Sequence, residues 1–140
     1  MYLLDTNIIS EIRKINSGRA NHGVEKWAKS VDKELMYISC ISLLEMEQGI
    51  LSLERKDAQQ GSLYRSWFEN IVKPQFQDKV IPIDASVALA CAKMHVPNKK
   101  NLADSLIAAS AKQHRLIVVT RNEKDFLETG VQLLNPFSED

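Results

Sequence analysis

Leu116-Ile117-Val118-Val119 is a run of four apolar residues with no polar alternation. A strand wetted on one face alternates, so an unbroken run predicts an interior strand of a parallel sheet with helices on both faces. Tyr2-Leu3-Leu4, Met36 to Ile41, Lys79 to Ile83 and Val131 to Leu134 are similar in length and composition. The segments between them are long enough for the helical crossovers that parallel strands require. The expectation is a βαβ series of about five strands. In the third stretch Pro82 cannot donate to a sheet ladder, which places that strand at an edge.

The intervening segments read as helices. Ser42 to about Arg55 puts Leu43, Met46, Ile50 and Leu53 on one face, and Leu63 to Lys73 does the same with Leu63, Trp67 and Ile71, flanked by Phe68. Ala85 to Met94 and Leu102 to His114 are rich in alanine, which lets a helix lie close to a sheet. Pro74 and Pro97 are expected to end the helical patterns before them. Asn16 to Gly23 and Lys56 to Gly61 read as surface turns, and nothing divides the 140 residues, so one domain over 1–140 is expected.

Composition excludes several classes. Eighteen Lys and Arg balance eighteen Asp and Glu, so the chain is no polycation and any grip on phosphate must be local or made through a metal. No apolar run approaches the roughly 20 residues of a membrane span, and the start lacks the pattern of a secretory signal, which points to the cytoplasm. Cys40 and Cys91 both sit among apolar neighbours and read as buried thiols of a reducing compartment.

Open parallel sheets bind ligands beyond the carboxyl ends of their strands. Asp5 follows the first strand, Glu45 follows the second by one helical turn, and Asp104 opens the helix feeding the Leu116 strand. After that strand comes Thr120-Arg121-Asn122-Glu123-Lys124-Asp125, which offers Asn122 or Asp125 as a fourth oxygen ligand. Each acid taken alone also suits a helix start: Ser42 with Glu45 fits a capping box, Asn101 fits an N-cap with Asp104 in the first turn, and Asp5 fits a cap. Three negative charges at one rim repel, however, and call for a cation. Carboxylate oxygens suit Mg²⁺ or Mn²⁺. His22, His95 and His114 lack zinc-ligand spacing, and no phosphate-binding glycine loop or dinucleotide fingerprint is present.

At these residues the chain resembles the PIN-domain family, and within it the VapC-type toxins of bacterial type II toxin–antitoxin pairs. Four ordered stretches carry the resemblance: Tyr2-Leu3-Leu4-Asp5-Thr6-Asn7 through Glu11, Ile41-Ser42-Leu43-Leu44-Glu45 with Gly49, Ala103-Asp104-Ser105-Leu106-Ile107-Ala108-Ala109, and Thr120 to Phe126. The match extends through Gly130-Val131 and Asn135-Pro136-Phe137. The resemblance implies a three-layer α/β/α sandwich holding a Mg²⁺- or Mn²⁺-dependent endoribonuclease site. Asp5, Glu45 and Asp104 match the family's core acids, with Asn122 or Asp125 at the fourth position. It also implies a homodimer, silenced by a VapB-type antitoxin whose C-terminal segment crosses the groove.

The expected chemistry is hydrolysis of an RNA phosphodiester by a water that the ion activates, with Asp5 and Asp104 as principal ligands and Glu45 acting through water or orienting the nucleophile. Lys99, Lys100 and Arg121 are candidates for gripping flanking phosphates, and Thr6 and Asn7 for orienting water beside Asp5. Tyr64, Trp67, Phe68 and Trp27 fall on apolar stripes and read as packing rather than stacking platforms for bases. The stripes of the two helices between Ser42 and Lys73 are expected to face a dimer mate or the antitoxin. Two other readings compete: a PIN fold kept as a catalytically silent binding module, and a flap-type DNA nuclease, which would carry more carboxylates and longer insertions.

Overall fold

The computed structural model describes residues 1–139. Five strands, β1 (Tyr2–Leu4), β2 (Met36–Ser39), β3 (Val80–Ile81), β4 (Ile117–Val119) and β5 (Leu133–Leu134), form one sheet in the order β3-β2-β1-β4-β5. Every pairing is parallel. The helices are α1 (Thr6–Ile12), α2 (His22–Ser30), α3 (Cys40–Lys56), α4 (Ala58–Trp67), the single turn α5 (Lys73–Gln75), α6 (Ala85–Met94) and α7 (Leu102–His114). All five expected strands are present, the Leu116 run lies inside the sheet, and the strand before Pro82 is at its edge.

Successive strand residues point to opposite faces, and the two faces collect different partners. Leu4, Ile38 and Val119 pack with Ile8, Met46, Ile50 and Phe68 on one side. Leu3 and Val118 pack with Ile107, Ala108, Ala111 and Phe126 on the other. Each fully buried Leu, Ile or Val contributes about 1.5–3 kcal/mol, so both faces of this short-stranded sheet must be covered for it to persist. On α7 the buried face is Ser105, Ile107 to Ala111, and its small side chains let the helix approach β4 closely.

β1 is the centre, with β2 on one side and β4 on the other. The chain reverses its order across the sheet there, which opens a crevice at the carboxyl ends. Register makes this concrete, because Leu4 lies opposite Val119 and the following residues, Asp5 and Thr120, emerge side by side.

Four local expectations are corrected. Pro74 does not end its helix: α4 runs into a wide turn over Phe68–Val72, in which the Lys73 N–H donates to the Phe68 carbonyl, and Pro74 then sits at the start of α5. Proline brings no N–H, and a widened turn relieves the clash of its ring with the carbonyl four residues back. Lys56 to Gly61 is not a loop; only Asp57 separates α3 from α4, accepting from the Gln60 N–H with its side chain. Asn16 to Gly23 contains the start of α2, capped by Asn21, which accepts from the Gly23 and Val24 N–H groups. Cys91 is buried, but Cys40 is half-buried at the start of α3.

The apolar stripe of the second helix is also displaced. Phe68 and Val72 face the core, whereas Leu63 and Ile71 are 59% and 55% exposed. On α3 the core takes Met46 and Ile50, and Leu44 and Leu51 face outward. The hairpin of α3 and α4 is clamped by Arg65, which reaches Glu47 and, at 3.1 Å, Glu54. Those carboxylates hold the guanidinium well above its ordinary pKa.

Candidate active site

Asp5 directly follows β1 and caps α1. Its side chain is 5% exposed, and both oxygens are engaged: Oδ1 accepts from the Thr6 N–H at 2.9 Å, and Oδ2 from the Thr120 hydroxyl at 2.8 Å and the Asn7 amide at 3.2 Å. Burial pushes its pKa upward, the Thr120, Thr6 and Asn7 bonds oppose that, and the negative charge of Glu45 adds to the rise. A carboxylate oxygen has lone pairs beyond those used here, so Asp5 keeps acceptor capacity toward the crevice.

Glu45 sits on the second turn of α3. The Thr6 hydroxyl lies 2.7 Å from Glu45 Oε1 and 3.0 Å from Ser42 Oγ, tying α1 to α3 at the sheet edge. The capping-box expectation is therefore corrected. Ser39 caps α3, accepting from the Ile41 N–H at 3.0 Å, and Ser42 is fully buried inside the helix as part of the Thr6 cluster.

Asp104 lies in the first turn of α7, where Asn101 accepts from its backbone N–H at 3.1 Å, as its sequence position predicts. Burial, followed by the charges of Asp5, Asp125 and Glu45, lifts its pKa to about 6. Four carboxylates contributed from after β1, after β2, before β4 and after β4 thus share one field. Asp125 lines a cavity of about 320 Å³ together with Asp104, Lys100 and Lys124. Asn122 does not line that cavity; its N–H donates to Thr120 Oγ1 at 3.0 Å.

Among the described residues, no three His, Cys, Asp or Glu side chains converge closely enough to hold one ion as they stand. Mutual repulsion opposes convergence until positive charge arrives. Mg²⁺ takes one or two carboxylates and completes its shell with water, so this all-oxygen donor set suits it.

The remaining sequence candidates divide. Thr6 and Asn7 are in the cluster, the latter also accepting from the Arg121 N–H at 3.2 Å. The Arg121 guanidinium itself rests on the Phe137 ring, 4.8 Å from its centroid. Lys100 reaches the Asp104 cavity but is paired with Glu128. Lys99 is exposed and does not line that cavity. Sequence reasoning missed Ser42, Thr120 and Lys124 as site residues. For Thr120 a signal existed: a hydroxyl directly after an unbroken apolar strand must find a buried partner.

The PIN domain family matches residues 2–131. Toxin FitB of Neisseria gonorrhoeae is 32% identical over 98% of this chain and 99% of its own. The crystal structure of FitAcB from the same organism superposes with a TM-score of 0.87 at 32% identity, covering 97% of this chain and 98% of that one. VapC ribonuclease Y4jK of Sinorhizobium fredii is 29% identical over 98% of each chain. A toxin–antitoxin complex from Klebsiella pneumoniae superposes with a TM-score of 0.67 at 26% identity over 99% of each chain. With acids at the switch point of a five-stranded parallel sheet and a family match along nearly its whole length, the chain belongs to the PIN domain family.

Proposed function

We propose that the chain is the toxin of a toxin–antitoxin pair, a divalent-metal-dependent endoribonuclease acting in the cytoplasm as a homodimer and restrained by its cognate antitoxin. The observation that carries this reading is the gathering of Asp5, Glu45, Asp104 and Asp125 at the carboxyl ends of the strands, where burial, followed by the charges of the other three, lifts Asp104 to about 6. Such a cluster is poorly balanced until a cation joins it. The names of the relatives, one a toxin, one a ribonuclease, and of a solved toxin–antitoxin complex support it.

Asp5 and Asp104 would hold Mg²⁺ or Mn²⁺ directly, with Glu45 and Asp125 one water further out. When bound, the ion supplies Lewis acidity, lowering the pKa of a water and offsetting charge on the scissile phosphate. Thr120 and Asn7 hold the Asp5 carboxylate in one orientation, and Thr6 does the same for Glu45. Lys100 and Lys124 flank the Asp104 side, where they would neutralise phosphates next to the cut, and Lys99 and Arg121 would act further along the chain. Water attacks phosphorus in line and the 3′ oxygen leaves, so downstream fragments carry 5′-phosphates.

Purified protein should cut RNA in Mg²⁺ or Mn²⁺, stop in EDTA, and resume on adding excess metal. Undiminished cutting in EDTA, or 2′,3′-cyclic phosphate ends, would refute the mechanism. A second reading, the catalytically silent module, draws on the fact that among the described residues no three acids converge. It requires that no metal restore any cleavage, and a DNA competitor in the same tube separates the DNA-nuclease alternative. Thr120→Val keeps the shape but removes the hydroxyl joining Asp5 to Asn122. Metal affinity, read by titration with Mn²⁺, should fall about tenfold, the usual cost of losing a group that orients a ligand.

A further inference from the structure

We propose that the cavity between α1, α3 and α4 is a base pocket, receiving one unstacked nucleobase of single-stranded RNA beside the scissile phosphate. It deepens the nuclease reading and rests on it. The cavity holds about 230 Å³, and Thr6 and Glu45, joined by a 2.7 Å hydrogen bond, form one edge. That edge belongs to the acid cluster, so the cavity adjoins it. Its other lining residues include Ser10, Met46, Ile50, Leu53, Tyr64 and Trp67.

The two flanks of the acid cluster are unlike. On the Asp104 side the cavity is largely charged: Lys124 and the Lys100–Glu128 pair stand beside Asp104 and Asp125. On the Glu45 side it is walled by aliphatic and aromatic groups. A nucleic-acid strand offers both partners in turn: anionic phosphates suit the lysines, and a base suits the aromatic side. Tyr64 and Trp67 meet edge to face, centroids 6.4 Å apart, and the Arg13 guanidinium sits 3.8 Å from the Tyr64 centroid, so these rings are held in place. A base also brings N–H donors for the acceptor capacity of Glu45 that Thr6 leaves unused and ring acceptors for Ser10, neither of which an apolar peptide side chain supplies.

Gly49 supplies an independent observation. It lies inside α3, where glycine weakens a helix relative to alanine, yet a Cβ there would meet no atom within 4 Å. Packing therefore does not require glycine. It lines the cavity, and its lack of a side chain keeps the volume open.

The test is Gly49→Leu, which fills the pocket. Fluorescein-labelled oligoadenylate, oligouridylate and oligocytidylate are compared with an abasic ribose-phosphate chain of equal length, by anisotropy in EDTA so that nothing is cut. The parent should bind at least one base-bearing chain about tenfold more tightly than the abasic chain. Gly49→Leu should bind the abasic chain as the parent does and lose that preference, with its thermal unfolding intact. Equal binding of all chains by the parent, or a preference surviving in Gly49→Leu, overturns the pocket. So does a variant that loses only its antitoxin, which would assign the cavity to a protein partner. Because binding is read without turnover, a base preference in a protein that cuts no RNA would sink the nuclease reading and leave the pocket standing.

Discussion

Asp104→Asn should cost at least about a hundredfold in RNA cleavage and, at the same time, raise the melting temperature of the metal-free protein at neutral pH. The pairing follows from the sign of one shift. Asp104 titrates near 3.8 when unperturbed and at about 6 in the folded chain, chiefly through burial and then through the charges of Asp5, Asp125 and Glu45. The folded state therefore binds the proton more tightly, and stability declines as pH rises through that window. Above it the carboxylate remains a net burden, which a neutral amide removes. The advantage of the variant should vanish near the unperturbed value and be complete above the raised one. Mg²⁺ should reverse the order, stabilising the parent far more than the variant. Protons compete with the ion, so apparent metal affinity should fall as pH drops through about 6. Calorimetry with and without Mg²⁺ across this range, beside a cleavage assay, checks both halves. A variant that cuts at the parent's rate would remove Asp104 from the reaction. Asp5→Asn should lose cleavage too, but without the gain in melting temperature. Both Asp5 oxygens accept hydrogen bonds, and one would become an amide facing the donors it now accepts from.

Gly61→Val should destabilise the protein by about 1–3 kcal/mol, the range for forcing extra atoms into a packed contact. Gly61 is buried where α4 crosses α3, and a Cβ there would lie 2.5 Å from the Glu54 Cα and 2.8 Å from its backbone nitrogen. Backbone inside a helix cannot yield as a flexible side-chain end can. The added atoms would part α4 from α3, lengthening the reach from Arg65 to Glu54 and widening the aromatic cavity. The urea midpoint should fall while the dependence on denaturant stays unchanged. Gly49→Ala, on the same hairpin, should shift stability the other way by about 0.5–1 kcal/mol, because open space surrounds it. Equal effects at the two glycines would contradict the packing described here.

Periodicity and composition were sufficient for what depends on short stretches of chain. The five strands, the edge position before Pro82, the helices over Ala85–Met94 and Leu102–His114 and the Asn101 cap all follow from local pattern. The acids Asp5, Glu45 and Asp104 were legible too, because in a parallel sheet the residue after a strand falls at one known edge. Local pattern misled where a neighbouring element decided the outcome. Pro74 was tolerated by a widened turn, Gly61 was drawn into a helix crossing, and the Leu63 and Ile71 stripe was turned outward because Phe68 and Val72 filled the core.

Only the folded arrangement decided the rest of the acid site. Thr120 meets Asp5 across 115 positions, and Thr6 meets Glu45 across 39, through strand register and helix placement. Asp125, not Asn122, was brought to line the Asp104 cavity by the tight turn after β4. Amino-acid order thus determined which groups could carry the chemistry and which edge of the sheet they would reach. Their orientation, their pairing and the raised pKa of Asp104 depend on distances between distant segments, which packing on both faces of the sheet sets.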